Sequence, residues 1–318
     1  MPANLIITMF LTLFLLFGFL FAILAAIGYY IGLSGYLIVA IAIFLVFIQW
    51  LIGPNIIWWT TNMRPLEKNE YPWIWETVEE ISKKHKVPMP KKIALVRSGA
   101  PNAFVFGRTP RSATLAITQG LLNNLTKEEV KAVIGHEMGH IKHKDMVVMT
   151  VVSAIPVIAY FIARFLIFTS DSKRERGAAV LIGLGAFIVY FITNLLVLAL
   201  SRLREYYADR FGGLATKPKL LANALAKITY GLSLHKEDVN QAARAFFIAD
   251  PITSNFEISH FSSEYSDLKI SGEEVKKAME WEKKNIYARI SEIFRTHPLS
   301  FKRIQALLKL EKELTEKK

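Results

Sequence analysis

The sequence predicts a predominantly α-helical membrane protein: four transmembrane helices joined to one α+β polar domain with a small β-sheet. Three observations carry that expectation. The mean hydropathy is +0.30 even though 21% of the residues are charged, a balance that requires long apolar segments. No Asp, Glu, Lys or Arg precedes Arg64. The polar stretches beyond it combine helical spacing of apolar residues with short β-type runs.

Two spans are expected before Arg64, residues 5–26 and 36–57. Each exceeds the ~20 residues that cross a hydrocarbon core. "IGYYIGLSGY" separates them; Tyr29, Tyr30 and Tyr36 suit one interface, and Trp50, Trp58 and Trp59 the other. A cleaved signal peptide is not expected, because a basic start is missing and the apolar region holds two runs. A third span, 146–168, has Arg164 near one end, where its long side chain can snorkel to the headgroups. The fourth, 177–200, is uncharged. The chain therefore divides into a membrane hairpin (1–60), a polar segment (61–145), a second membrane hairpin (146–200) and a helical segment (201–318). The two polar segments are expected to fold together.

The loop between the first two spans has no Lys or Arg and that between the last two carries Lys173, Arg174 and Arg176 against Asp171 and Glu175, whereas Arg64, Lys68, Lys127, Lys131, Lys142, Lys144, Arg202, Arg204 and Arg210 gather on the opposite side. That bias predicts a multi-pass protein of the plasma (inner) membrane, with the polar domain and both termini in the cytoplasm. A net charge of +12 suits a surface beside the anionic leaflet of the lipid bilayer. A nucleic-acid partner is not expected, since no basic stripe is interleaved with aromatics. The chain has no cysteine, which excludes disulfides and thiolate metal sites.

In the first polar segment, "PWIWETVEEISKKHKV" reads as an amphipathic helix. Residues 92–97, 102–107 and 112–118 read as strands, the last two as a hairpin across "RTPR". A short helix near Leu121 precedes a stronger one opened by Thr126 with Glu129 three residues on, the capping-box pattern. Beyond the last span, helices are expected at 201–212, 218–231, 236–248, 272–293 and 299–315, with a polar loop at about 250–270.

The stronger helix runs into "VIGHEMGHIKHKD", residues 133–145. His136 and His140, four apart, share a helix face and can reach one metal ion. Glu137 then lies beside the metal, placed for proton transfer. Gly139 is costly inside a helix, which a close backbone approach would explain. The competing reading is a histidine-rich solvated face. A catalytic metal needs a third ligand. His143 is not it, since seven residues place it about 10.5 Å from His136 along the axis; it reads as a near-interface residue. "SRLREYYADRFGG" offers Glu205 and Asp209, again four apart. Glu205 would complete a His₂Glu set and Asp209 could accept the remaining N–H of a ligating His. Alone, that stretch also fits an ordinary charged helix. The last two spans, as a hairpin, return Glu205 to the membrane surface that His136 and His140 leave.

"HEMGH" followed by "REYYAD" resembles the HtpX family of integral-membrane zinc endopeptidases, which are related to the CAAX-processing prenyl proteases. "PNAFVFG" resembles that family's Asn-Ala-containing edge strand, and "THPLSFKRI" (296–304) its C-terminal Thr-His-Pro segment with a following Arg. The resemblance spans essentially the whole chain, in the same motif order, with no departure at the metal or base positions. It implies a zincin-type, gluzincin-like catalytic domain holding one Zn²⁺ on His136, His140 and Glu205. Glu137 would be the general base, and Asp209 would orient His136 or His140. His297 would stabilise the oxyanion and Arg303 would hold nearby carboxylates. Asn102, Ala103 and Phe104 would lie on the strand that pairs with substrate. The implied substrates are membrane proteins or unfolded polypeptides, cleaved in quality control. CAAX-type processing of lipidated proteins is the narrower alternative, which four spans count against. A non-catalytic, zinc-stabilised membrane sensor or scaffold is the other. His85, His235 and His260 read as surface residues.

Overall fold

The computed structural model describes residues 35–150, 173–231 and 272–316, with scattered positions between 152 and 160. The expected first span (5–26), most of the third, helix 236–248 and the loop at 250–270 lie outside the described residues. The described residues up to 53 with those of 148–199 form one compact unit, and the described residues of 54–147 and from 200 onward a second.

Helix α1, Gly35–Thr60, contains the expected second span. It carries no charged residue, and Ile43, Phe44, Phe47 and Trp59 are exposed on it. The last long span differs from its expectation. Instead of ending near residue 200 before a separate helix, it continues unbroken as α5, Lys173–Ala215. Nothing between Ala186 and Phe211 interrupts it, since neither Gly nor Pro occurs there. Among the described residues, one helical stretch, Phe187–Ala215, is long and apolar enough to cross a membrane.

The second unit is mostly helical around a small mixed sheet. Its strands β1 (Met63–Pro65), β2 (Lys92–Val96), β3 (Ala103–Phe106) and β4 (Thr114–Thr118) lie in the order β1-β2-β4-β3. β2 and β4 are parallel; the other two pairs are antiparallel. Strand alternation sorts the side chains between two apolar clusters. Ile93, Leu95, Ala103, Leu115 and Ile117 join the main core. Ala94, Val96, Phe104, Phe106 and Ala116 form the other face with Ile57 and Trp58. The turn before β3 is tied down by Thr118, whose buried Oγ1 accepts from Asn102 N (2.8 Å) and Leu121 N (3.1 Å) and donates to the Ala100 and Asn102 carbonyls.

Helices α2 (Pro72–His85), α3 (Gln119–Asn124), α4 (Lys127–Lys142) and α6 (Pro218–Gly231) complete the core with α9 (Ser300–Glu316). α4 is central, packed by α2, α6 and β3. Its expected capping box is present: Thr126 Oγ1 accepts from Glu129 N, and Glu129 Oε2 accepts from Thr126 N. Glu129 also pairs with Lys227 of α6 at 2.8 Å. The helix expected at 272–293 is instead broken into α7 (Gly272–Lys284) and α8 (Ile286–Ser291). Asn285 causes the break, its side chain capping α8 by accepting from Tyr287 N and Ala288 N.

α4 and α5 cross at backbone distance. A methyl group added at Gly212 would meet His136 N at 2.7 Å, and one at Gly139 would meet Ala208 Cα at 3.0 Å. Gly135 faces Gly212 in the same way. Small residues four apart on both helices are what such an approach requires. Gly212→Ala should therefore lower stability by about 1–3 kcal/mol, the usual cost of overpacking, read as a lower thermal-unfolding midpoint in detergent. Gly185→Ala, with nothing within 4 Å of the added carbon, should lose nothing. A wild-type midpoint for Gly212→Ala would mean that the two helices separate at no cost.

Candidate metal centre and active site

The helix crossing brings two short polar patterns face to face. α4 presents His136 and His140, with their Nε2 atoms 3.2 Å apart. α5 presents Glu205, whose carboxylate oxygens lie 3.7 Å from His136 Nε2 and 3.5 Å from His140 Nε2. One donor atom from each of the three falls within 4.8 Å of the others. The outer nitrogens are also engaged: His136 Nδ1 lies 3.0 Å from Asp209 Oδ1, and His140 Nδ1 lies 2.6 Å from Asp145 Oδ2. A carboxylate against Nδ1 keeps the proton there and leaves Nε2 with a lone pair. Two imidazole lone pairs and a carboxylate then converge on one point, an arrangement that suits a cation. Tetrahedral ligands at ~2.0–2.1 Å from a metal sit about 3.3 Å apart, close to the spacing of the two Nε2 atoms. The donor set fits a divalent metal ion.

Burial sets the electrostatics around this point. His136, Glu137, Glu205, Asp209 and Arg303 are all buried. Burial pushes the His136 imidazole below its ordinary pKa, opposed by Asp209. Burial likewise pushes the Glu137 carboxyl up to about 8; His140 opposes the rise, Glu205 adds to it, and Arg303 and the backbone N–H of Val105 oppose it. Arg303 is the buried counter-charge. Its guanidinium donates to both Asp209 oxygens at 2.7 and 2.8 Å and lies 3.1 Å from Glu205 Oε2. Desolvation alone would weaken its charge, but Asp209 and Glu205 raise its pKa instead.

His297 reaches the site from the loop before α9, its Nδ1 3.2 Å from Glu205 Oε2. Two acids hold that loop. Buried Glu282 of α7 accepts from Ser300 N (3.1 Å) and Phe301 N (2.9 Å), capping α9. Glu292 accepts from Leu299 N (3.1 Å) and pairs with Lys302. The same first turn of α9 carries Arg303 inward.

His136, Glu137, His140, Glu205, Asp209, His297 and Arg303 thus stand together, and Asp209 faces His136 rather than His140. Asn102 immediately precedes β3 and Ala103 and Phe104 open it; this is the terminal strand beside α4, and its Val105 N–H reaches Glu137. His143 caps the end of α4 and stacks edge-on near Tyr207 and Phe211, away from the donor cluster. His85, expected at the surface, also packs edge-on against Phe211; His235 and His260 lie outside the described residues. Sequence reasoning missed Asp145, Glu282 and Glu292. An Asp five residues past the second His was the one visible signal for Asp145.

Comparison with known proteins agrees with this geometry. The model of peptidase family M48 matches residues 68–311. A protein named Protease HtpX homolog from Methanothermobacter thermautotrophicus is 42% identical over 212 residues, covering 65% of this chain and 79% of that one. Its namesake from Thermoplasma acidophilum is 32% identical over 293 residues, 89% of each. Protease HtpX homolog 2 of Methanosarcina acetivorans is 32% identical over 277 residues, covering 84% of this chain and 82% of its own. The crystal structure of S. mikatae Ste24p has a similar fold: TM-score 0.54, 17% identity, 93% of this chain and 64% of that one. The chain belongs to peptidase family M48 and is an HtpX-like metallopeptidase.

Arg303→Met should destabilise the protein by roughly 3–5 kcal/mol, because it leaves Asp209 and Glu205 buried beside an uncharged side chain. Thermal unfolding measures the loss. A drop under about 1 kcal/mol would show that these carboxylates do not depend on the guanidinium.

Proposed function

We propose that the chain is a four-span, membrane-embedded zinc endopeptidase that hydrolyses membrane or unfolded polypeptides at the cytoplasmic face, in protein quality control. The observation that carries the reading is the convergence of His136 Nε2, His140 Nε2 and the Glu205 carboxylate beside a buried, basic Glu137. These three residues would hold one Zn²⁺ per chain. When bound, zinc supplies Lewis acidity, polarising a carbonyl oxygen and acidifying water.

The chain's own groups supply the rest. In the chain alone burial pushes the Glu137 carboxyl up to about 8; the charge of a zinc ion bound beside it would favour the carboxylate, which is free to accept a proton. It takes one from the attacking water and delivers it to the leaving amine. The Val105 N–H holds its carboxylate in place. Asp209 and Arg303 fix His136, and Arg303 also keeps Glu205 in a charged setting. His297 stabilises the developing oxyanion from its place beside Glu205. β3, through Asn102, Ala103 and Phe104, adds an extended substrate to the sheet by backbone pairing, a mode that suits loose sequence preference.

The membrane reading rests on uncharged α1, on the apolar length of α5, and on the Lys and Arg distribution. With no cysteine in the chain, single-cysteine labelling tests it without background. Ser34→Cys and Ser172→Cys should react with an impermeant maleimide from outside the cell, and Lys68→Cys only after lysis; the reverse pattern would invert the topology.

Cleavage of an unfolded membrane protein tests the chemistry. Purified wild type should cut it and a chelator should stop it. Glu137→Gln should keep one zinc per chain while losing roughly 10²–10⁴-fold in rate. Equal cutting by both forms would sink the mechanism, and loss of cutting without any cellular consequence would favour a sensor or scaffold.

A further inference from the structure

Both histidines of the cluster face a carboxylate, and both carboxylates face an arginine. His136 is backed by Asp209 and then Arg303, both already placed in the site. His140 is backed by Asp145, 2.6 Å from its Nδ1, and Asp145 is in turn paired with Arg204. We infer that Asp145, held by Arg204, is the positioning residue for His140: it accepts the Nδ1–H and so directs the Nε2 lone pair at the metal. The inference rests on the metal-site reading above.

The local chain is arranged at some cost to bring this about. α4 ends at Lys142, and Lys144 adopts φ +58°. A left-handed lysine is strained and persists only where its surroundings impose it. That turn folds Asp145 back over the imidazole five residues behind it. Asp145 also opens the next helical segment, 145–150, where an acid suits the helix dipole, but that placement does not require its carboxylate to turn back onto His140. Asp145 is also buried, where a charge persists only if it is paired. Arg204 supplies the pairing, and it donates to the His143 carbonyl at 2.6 Å, clamping the same turn. Two unfavourable features, the left-handed Lys144 and the buried charge of Asp145, are thus explained by one function.

α5 contributes to both sides of the site from adjacent residues. Glu205 joins His136 and His140, while Arg204, one residue earlier, secures the carboxylate behind His140. Without Asp145 the His140 proton could move to Nε2, and that tautomer offers no lone pair to a metal.

The test is zinc affinity of the full-length protein, measured by chelator competition. Asp145→Asn keeps the shape but can present an amide N–H to Nδ1. It should weaken zinc binding by about 10–100-fold, the usual effect of removing a carboxylate behind a ligating His. Its unfolding midpoint in excess chelator should change less than its midpoint with zinc. Affinity within twofold of wild type, or equal midpoint losses with and without zinc, would overturn the inference. If wild type itself binds no zinc, the metal-site reading fails instead. A second measurement avoids the variant: Co²⁺-loaded wild type should show two paramagnetically shifted, slowly exchanging imidazole N–H signals by proton NMR. A single signal would exclude Asp145 as the acceptor.

Discussion

The approach of α4 to α5 is the constraint on which the rest of the structure depends. Gly135, Gly139, Ala208 and Gly212 let two backbones touch, and only at that separation do the Glu205 oxygens come within 3.5–3.7 Å of both imidazoles. A side chain of ordinary size at Gly212 would lie on the His136 backbone itself, so the fold and the site share one steric condition. The glycine that weakens α4 by roughly 1 kcal/mol as a helix residue is what permits the contact that gives the helix its purpose.

Bringing the helices together creates an electrostatic problem, and the answer orders the remaining elements. Glu137, Glu205 and Asp209 are buried in one site, with Arg303 as the buried guanidinium among them. Three carboxylates against one guanidinium leave a deficit of two positive charges when all are ionised, which is the charge of one divalent ion. In the chain alone, burial meets part of that deficit by holding Glu137 near a pKa of 8. Arg303 must come from α9, so α9 must be capped firmly. Glu282 does this at the same backbone amides that set the loop carrying His297.

What was legible in the sequence was what obeys local rules. The capping box, the histidines four apart and the carboxylates four apart all follow from helical spacing, and their shared faces are present in the fold. The hairpin of β3 and β4 followed from alternation and a turn. The illegible parts depend on tertiary partners. β1 has three residues and no period to detect. Asp145 lies beyond α4, at the start of the next helical segment, and its role needs the left-handed Lys144 and an arginine 59 residues along the chain. Glu282 and Glu292 look like ordinary surface acids until α9 arrives. The continuity of α5 was hidden because a drop in hydropathy near Ser201 imitates a helix end, although helix propensity does not fall there.

The geometry of β3 narrows how a substrate can be read. Phe104 and Phe106 turn into the cluster with Ile57 and Trp58, while Ala103 faces the main core. The Thr118 N–H donates to the Asn102 carbonyl at 2.9 Å, so by antiparallel alternation residues 102, 104 and 106 bond inward to β4, and 103 and 105 turn their backbone outward. Val105 spends its N–H on Glu137. On the proposed reading, Ala103 is then the residue whose N–H and C=O would meet an incoming strand, two residues from the hydrogen bond that holds the base, and since Ala103 is buried the strand would have to displace what covers it. Recognition of that kind, through one small residue's backbone next to a fixed carboxylate, would constrain where the chain is cut relative to the strand and say little about which side chains it bears. Such specificity would suit the proposed substrates, which share an unfolded state rather than a sequence.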